Sequence, residues 1–235
     1  MKIIFSDFDG VIKNGDMNSF LQKIKLKSDR EEIEDFVKNG NKFIISTSRN
    51  TDSIKNVLNT IGLDFNYLIT YNGRVIFDKN FNIIHASYIK NNILNDIKYI
   101  LDNIRYKRVH FFNEYGSTNT MNNLIVLIIK TFDKNAYKYF KALSLKYKDL
   151  KIDYNSNKGQ FCLSIRCNKL NGALNLIEKE GLTADYQDIY AIGSDSSNIA
   201  LLEKFNGYKT NNHSEELYNI KNKTRSVKQL IKQIK

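Results

Sequence analysis

Short apolar runs that stop abruptly at polar residues set the rhythm of the first third of the chain. Lys2 to Ser6 (KIIFS) is continuous and apolar, then breaks at Asp7-Phe8-Asp9-Gly10, as a strand buried on both faces does where it meets a loop. Ser28 and Glu31 have capping-box spacing and predict a helix through Ile33 and Phe36 to Val37, closed by Gly40. Lys42 to Ser46 (KFIIS) repeats the buried-strand pattern. From about Thr51, Ile54, Val57, Leu58 and Ile61 fall on one helical face, with Gly62 as the stop. Tyr67 to Thr70 is a third strand, Asn72-Gly73 signals a tight turn, and Val75–Phe77 with Ile83–Ile84 reads as a hairpin. Strand, helix, strand, helix, strand is the order of a parallel sheet with right-handed crossovers.

The middle of the chain has a different period. Helical patterns at 91–104 and 133–148 alternate with strand patterns at 108–113, 123–131, 151–154 and 160–167. Phe161, Leu163 and Ile165 alternate as on a one-sided antiparallel sheet. The parallel pattern then resumes with a helix at 172–180, a strand at 188–192, a turn at 193–197 and a helix at 198–205. The expected fold is α/β: a Rossmann-like parallel-sheet core, residues 1–82 and 168–235, interrupted by an inserted α+β domain at 83–167. The crossings near 82–90 and 167–171 would be its hinges.

Composition narrows the class. With 42% hydrophobic and 26% charged residues the chain is globular, and proline and tryptophan are absent, which leaves punctuation to glycine and Asn/Asp/Ser clusters. No apolar run has the length of a membrane helix and the N-terminus has no signal-peptide core, so a soluble, cytoplasmic protein with no membrane partner is expected. Cys162 and Cys167 fall in one predicted strand at an odd offset, facing opposite ways, which predicts reduced core thiols rather than a disulfide. The net charge of +11 comes from 36 Lys+Arg against 25 Asp+Glu, scattered except in the tail Lys221 to Lys235, which has cations and no acids. Because that tail carries Val227, Leu230, Ile231 and Ile234 at helical spacing, it reads as a docked helix with a basic outer face and not as a nucleic-acid site.

In an open parallel sheet ligands bind at the carboxyl ends of the strands. The residues there are Asp7 and Asp9, then Thr47, Ser48 and Arg49, then Ser194 and Asp195. A lone Asp-x-Asp is most simply a turn cap. Carboxylates and a hydroxyl converging from three strands repel one another unless a cation or proton lies between them, which is the situation a Mg²⁺ site exploits.

Asp7-Phe8-Asp9-Gly10-Val11 resembles the first motif of the haloacid dehalogenase (HAD) superfamily. Asn39 to Arg49, ending Thr47-Ser48-Arg49, resembles the Thr-Gly-Arg stretch of the Cof-like phosphatases, with Ser48 in place of glycine. Leu68 to Gly73 resembles their Asn-Gly segment, and Lys169 to Leu174 with Ile189 to Gly193 resemble motifs three and four, in order. The insert resembles a compact Cof-type cap. The resemblance implies a Mg²⁺-dependent phosphatase of small phosphorylated metabolites, a sugar phosphate or similar monoester. Asp7 would be the nucleophile, Asp9 the general acid and base, Thr47 a phosphoryl hydrogen-bond donor and Lys169 the neutralising cation. Ser48, Arg49 and Asn72 would hold substrate; Asp7, Asp9, Asp195 and Asn198 would hold the metal. Where the family reads Gly-Asp-x-x-Asn-Asp, this chain reads Gly193-Ser194-Asp195-Ser196-Ser197-Asn198, so Ser194 and Asn198 replace two acids. That departure leaves a second reading open, a protein that binds a phosphorylated ligand or a protein partner without turnover. Cap specificity would be written in loop residues such as Asn113, Glu114, Tyr115 and Lys158.

Overall fold

The computed structural model describes residues 1–15 and 19–235. In chain order the main elements are β1 (Ile3–Ser6), α1 (Phe20–Lys38), β2 (Lys42–Ser46), α2 (Thr51–Ile61), β3 (Tyr67–Thr70), β4 (Val75–Asp78) and β5 (Ile83–Ala86). They are followed by α3 (Asn91–Asn103), β6 (Arg108–Phe112), β7 (Ser117–Thr118), β8 (Val126–Lys130), α4 (Lys134–Lys146), β9 (Leu150–Asn155) and β10 (Gln160–Ile165). The last are α5 (Lys169–Lys179), β11 (Ile189–Gly193), α6 (Ile199–Lys204), β12 (Asn206–Thr210), β13 (Asn222–Thr224) and α7 (Val227–Ile234).

The chain divides into two compact units. One holds Met1–Arg49, Ser53–His85 and Cys167–Lys235; the other holds Asn50–Asp52 and Ala86–Arg166. The first crossing falls after His85 rather than after residue 82, because β5 is the outer neighbour of β4 in the first unit's sheet.

The first unit is built on an eight-stranded sheet of order β13-β12-β11-β1-β2-β3-β4-β5. β1 lies between β11 and β2, parallel to both. That central position explains why all four of its residues are buried and why its sequence has no polar alternation. β3 and β4 pair antiparallel, so the parallel run ends there. One apolar cluster gathers Ile3 and Phe5 with Ile44, Ile69, Ala173, Leu176, Ala191 and Leu201. The tail forms the expected helix: Val227, Leu230, Ile231 and Ile234 of α7 are buried. It lies along α1, where Asp29 accepts from the Lys228 backbone N–H and Asp35 pairs with the Lys235 ammonium.

Helix α1 differs from expectation. It opens at Phe20 with Ser19 as its N-cap, accepting from the Gln22 N–H, and Ser28 sits in mid-helix, where its hydroxyl accepts from Lys228 Nζ. The first turns escape an apolar-period search because they bury Gln22 and expose Phe20 and Leu21.

The second unit carries a five-stranded sheet of order β7-β6-β8-β10-β9, whose β6–β8, β8–β10, β10–β9 and β6–β7 pairs are antiparallel. Phe161 and Leu163 of β10 are buried with Leu127 and Ile129 of β8 and with Ile93, Ile97 and Phe140 from α3 and α4, the one-sided sheet the alternation predicts. The cysteines correct their reading: β10 ends before Cys167, and both residues, neither in a disulfide, are half-buried rather than core residues. No helix among the described residues is long and apolar enough to cross a membrane.

Candidate active site

The site lies within the first unit, at the carboxyl ends of its central strands. β1 makes its last ladder bond at Asp7, whose backbone N–H donates to the Ile192 carbonyl of β11 (2.9 Å), and the chain then turns through Phe8 to Gly10. Asp7 is 2% exposed, yet its carboxylate is well supplied with donors. Oδ1 accepts from the Phe8 N–H (2.7 Å) and from Lys169 Nζ (2.8 Å); Oδ2 accepts from the Asn198 amide (2.7 Å).

Lys169 reaches that carboxylate from the first turn of α5, whose start is fixed by Asn168 and Asn171 in reciprocal capping bonds. The helix begins at Lys169 itself, three residues before Gly172, and this places the ammonium at the strand ends. Gly172 allows the close approach: a Cβ there would lie 2.7 Å from the Gly73 Cα. Lys169 Nζ also donates to Asn198 Oδ1 (3.0 Å), and Asn198 in turn donates to Asp195 Oδ1 (2.9 Å). An ammonium has donors only, so the oxygen of Asn198 must face Lys169 and its NH₂ must face the two carboxylates. In this arrangement Asn198 supplies N–H groups to Asp7 and Asp195 while its oxygen accepts from Lys169. Its amide stands where the repulsion between two acids calls for positive character.

Burial raises the Asp7 carboxyl above its ordinary pKa; the adjacent Lys169 charge and the bonds from Lys169 and Asn198 pull it back down, and Asp195 adds a smaller upward push. Asp195 itself is exposed and also accepts from the Ser197 N–H and hydroxyl.

Asp9 behaves differently from Asp7. Its carbonyl accepts from the Ser194 hydroxyl (3.0 Å), while its carboxylate is gripped by Arg49 in a two-bond fork, Nε to Oδ2 and Nη2 to Oδ1, both 2.7 Å. The fork raises the Arg49 pKa against the opposing effect of burial. Arg49 also lies over the Phe8 ring, 5.2 Å from its centroid. Gly10, at φ +76°, makes the turn possible, and a Cβ there would lie 2.2 Å from Ser194 Oγ.

Thr47 is buried just past β2, its backbone N–H on the Ile69 carbonyl and its hydroxyl oxygen accepting from the Arg49 N–H (3.2 Å). The structure thus joins Asp7, Lys169, Asn198 and Asp195 by direct bonds and Asp9, Arg49 and Thr47 in a second chain. Ser48 is exposed, and Asn72 turns away to the Cys167 carbonyl (3.4 Å) at φ +57°, as a turn residue. The Asn72 backbone N–H nevertheless donates to the Thr47 carbonyl (3.0 Å), so its main chain is tied to the second chain of bonds. Two residues went unassigned in the sequence: Ser194, whose hydroxyl holds the Asp9 carbonyl, and Phe8, the platform under Arg49. Ser194 was visible as the departure in motif four; Phe8 had no signal beyond its place between the two aspartates.

Among the described residues no group of three or more His, Cys, Asp or Glu side chains could hold a metal. Mg²⁺ needs less, one or two carboxylates with the rest of its shell from carbonyls, water and phosphate. Asp7 and Asp195, bonded to the same amide nitrogen, and the Asp9 carbonyl are hard oxygen donors of that kind.

Compared with known proteins, the chain matches the family profile of the haloacid dehalogenase-like hydrolases over residues 4–160. The chain belongs to that family. A relative of uncharacterised role from Mycoplasma capricolum is 30% identical, over 100% of this chain and 99% of its own length. Among solved structures, TM0651 from Thermotoga maritima superposes with a TM-score of 0.80 at 14% identity, covering 100% of this chain and 97% of that one. The HAD subclass IIB sugar phosphatase BT4131 gives 0.66 at 15%, covering 100% and 98%. At such identities the two structures establish the shared HAD fold, with its mixed α/β architecture, and the profile establishes a hydrolase.

Proposed function

We propose that this HAD hydrolase is a Mg²⁺-dependent phosphatase that cleaves a small phosphorylated metabolite, a sugar phosphate or similar monoester, through an aspartyl phosphate on Asp7. The observation that carries the reading is the buried Asp7 carboxylate with the Lys169 ammonium 2.8 Å away. The sugar phosphatase BT4131, which shares the fold, supports the substrate class.

The chemistry follows from the free positions on each group. Asp7 Oδ1 already takes two donors and Oδ2 one, so Oδ2 retains a lone pair for in-line attack on phosphorus. The Asp7 oxygen–phosphorus bond forms as the bond to the leaving alcohol breaks, and Asp9 delivers a proton to that alcohol. Water then attacks the phosphoryl group, Asp9 takes its proton, and the carboxylate of Asp7 departs. Thr47 accepts from Arg49 through its oxygen and so keeps its hydrogen for a phosphoryl oxygen. Lys169, already on the nucleophile, offsets the charge that gathers in the transition state. Asp7, Asp195 and the Asp9 carbonyl would hold Mg²⁺, which when bound supplies further positive charge to the phosphoryl oxygens.

The test is hydrolysis of p-nitrophenyl phosphate and a panel of sugar phosphates with and without Mg²⁺. Turnover requires Mg²⁺ and disappears in Asp7→Asn; activity that survives either change refutes the assignment. One observation favours the second reading, binding without turnover: the Asn198 amide already bridges Asp7 and Asp195. On that reading phosphate esters bind and no alcohol is released.

A further inference from the structure

We propose that Arg49 is a positioning residue that withholds Asp9 until a phosphate arrives: the anion takes the guanidinium, and only then is the Asp9 carboxyl free to face the leaving group. The inference rests on the phosphatase reading above and adds a control step to it.

Both Asp9 oxygens accept from Arg49 at 2.7 Å, and among the described residues no other side chain bonds to them. In that arrangement each oxygen is held in line with one N–H of the guanidinium, so the carboxylate cannot turn toward another group without giving up the fork. A carboxylate and a phosphoryl group are rival ligands for the same pair of parallel N–H bonds, because the guanidinium fork fits two oxygens of either. The anchoring of the two partners is unequal. The Arg49 side chain is 19% exposed, lies over the Phe8 ring, touches Ser53 Oγ through Nη1 (3.4 Å) and is fixed at its backbone by Thr47; the Asp9 side chain is 45% exposed. Solvent access keeps the pair weak enough to exchange. Thr47 and Arg49, joined by one hydrogen bond, would then meet the same phosphoryl group, and the acid would be released by the event that makes it useful. A tether role, in which Arg49 merely ties the loop after β1 to the loop after β2, involves no competition with anions.

A double-mutant cycle on inorganic phosphate binding separates these roles. Phosphate is titrated calorimetrically, with Mg²⁺ present, into the wild type, Asp9→Asn, Arg49→Met and the double variant. Removing the Asp9 charge favours an anion in any background, so only the difference between backgrounds counts. Exchange predicts that Asp9→Asn tightens phosphate about two- to five-fold more when Arg49 is present than when it is Met, the range expected for a partly exposed pair. An equal change in both backgrounds overturns the exchange while leaving the phosphatase reading intact. No phosphate binding by any of the four proteins overturns that reading and the exchange with it. Should Arg49→Met fail to fold, Arg49→Gln closes the same cycle, since a neutral amide removes both the charge and the fork.

Discussion

Replacing Lys169 with methionine removes one partner of an ion pair that is almost wholly out of water, with side-chain exposures of 1% for Lys169 and 3% for Asp7 and a separation of 2.8 Å. The remaining carboxylate keeps the Phe8 N–H and the Asn198 amide, while Asn198 Oδ1 loses the donor it faces. Breaking a buried pair from one side costs about 3–5 kcal/mol, within which the orphaned amide oxygen accounts for about 1–3. For a protein of this size that corresponds to a fall in Tm of roughly 6–20 °C. Asp7→Asn breaks the pair from the other side and costs about 2–4 kcal/mol, because the new amide oxygen still accepts from Lys169. In the double variant neither charge is left alone, so its cost falls short of the sum by about 2–3 kcal/mol. Urea denaturation of the four proteins followed by circular dichroism measures this coupling. A coupling below about 0.5 kcal/mol contradicts the pairing on which the site is built.

Three further outcomes follow from particular contacts. Asn198→Asp replaces the bridging amide with a third carboxylate beside Asp7 and Asp195, so the metal-free protein loses about 1–3 kcal/mol. Its melting temperature then rises with Mg²⁺ more steeply than that of the wild type, and equal slopes would contradict the account of Asn198 as a stand-in for positive charge. Gly10→Ala meets Ser194 Oγ and forces a side chain into positive φ, for a loss of about 1–3 kcal/mol; Ser194→Gly relieves the clash and leaves the φ penalty, so rescue in the double variant is partial, as thermal melts will show. Tyr67, hydrogen-bonded to Glu180 at 2.9 Å, has its phenol pushed up to about 12, by burial first and by Glu180 second. The folded state therefore keeps a proton that the unfolded chain begins to lose near pH 10, and its contribution is intact below that pH and lost as pH rises toward 12. Tyr67→Phe flattens stability against pH in that window, checked by alkaline denaturation alongside ultraviolet titration of the phenols.

The fold was legible wherever burial was complete. β1, β2 and β3 are continuous apolar runs closed by polar residues, and the structure ends them at Ser6, Ser46 and Thr70. α7 was equally plain, since four apolar residues fall on one helical face. The first two turns of α1 were not, because their buried face uses polar groups: Gln22 donates to the Ile12 carbonyl, and Lys25 donates to the Val11 carbonyl and pairs with Asp29. Such anchoring leaves no hydrophobic period to count. At the site, residue types following strand ends pointed to Asp7, Asp9 and Thr47, while Lys169 came only from the resemblance of residues 169–174 to the family's third motif. The roles of Asn198 and Arg49 were beyond reach, because which atom of an amide faces a carboxylate, and whether an arginine grips an acid, depend on side-chain geometry that spacing does not encode.

The claim at the centre of this account is that phosphorus becomes bonded to Asp7 in the course of the reaction. Brief exposure of the protein to a phosphate ester with Mg²⁺, quenching in acid, reduction with borohydride and peptide mass analysis reads this directly, since borohydride reduces an acyl phosphate to the alcohol. The account predicts homoserine at position 7 in the wild type and none in Asp7→Asn. Modification at another residue, or ester hydrolysis that proceeds with position 7 unchanged, contradicts it.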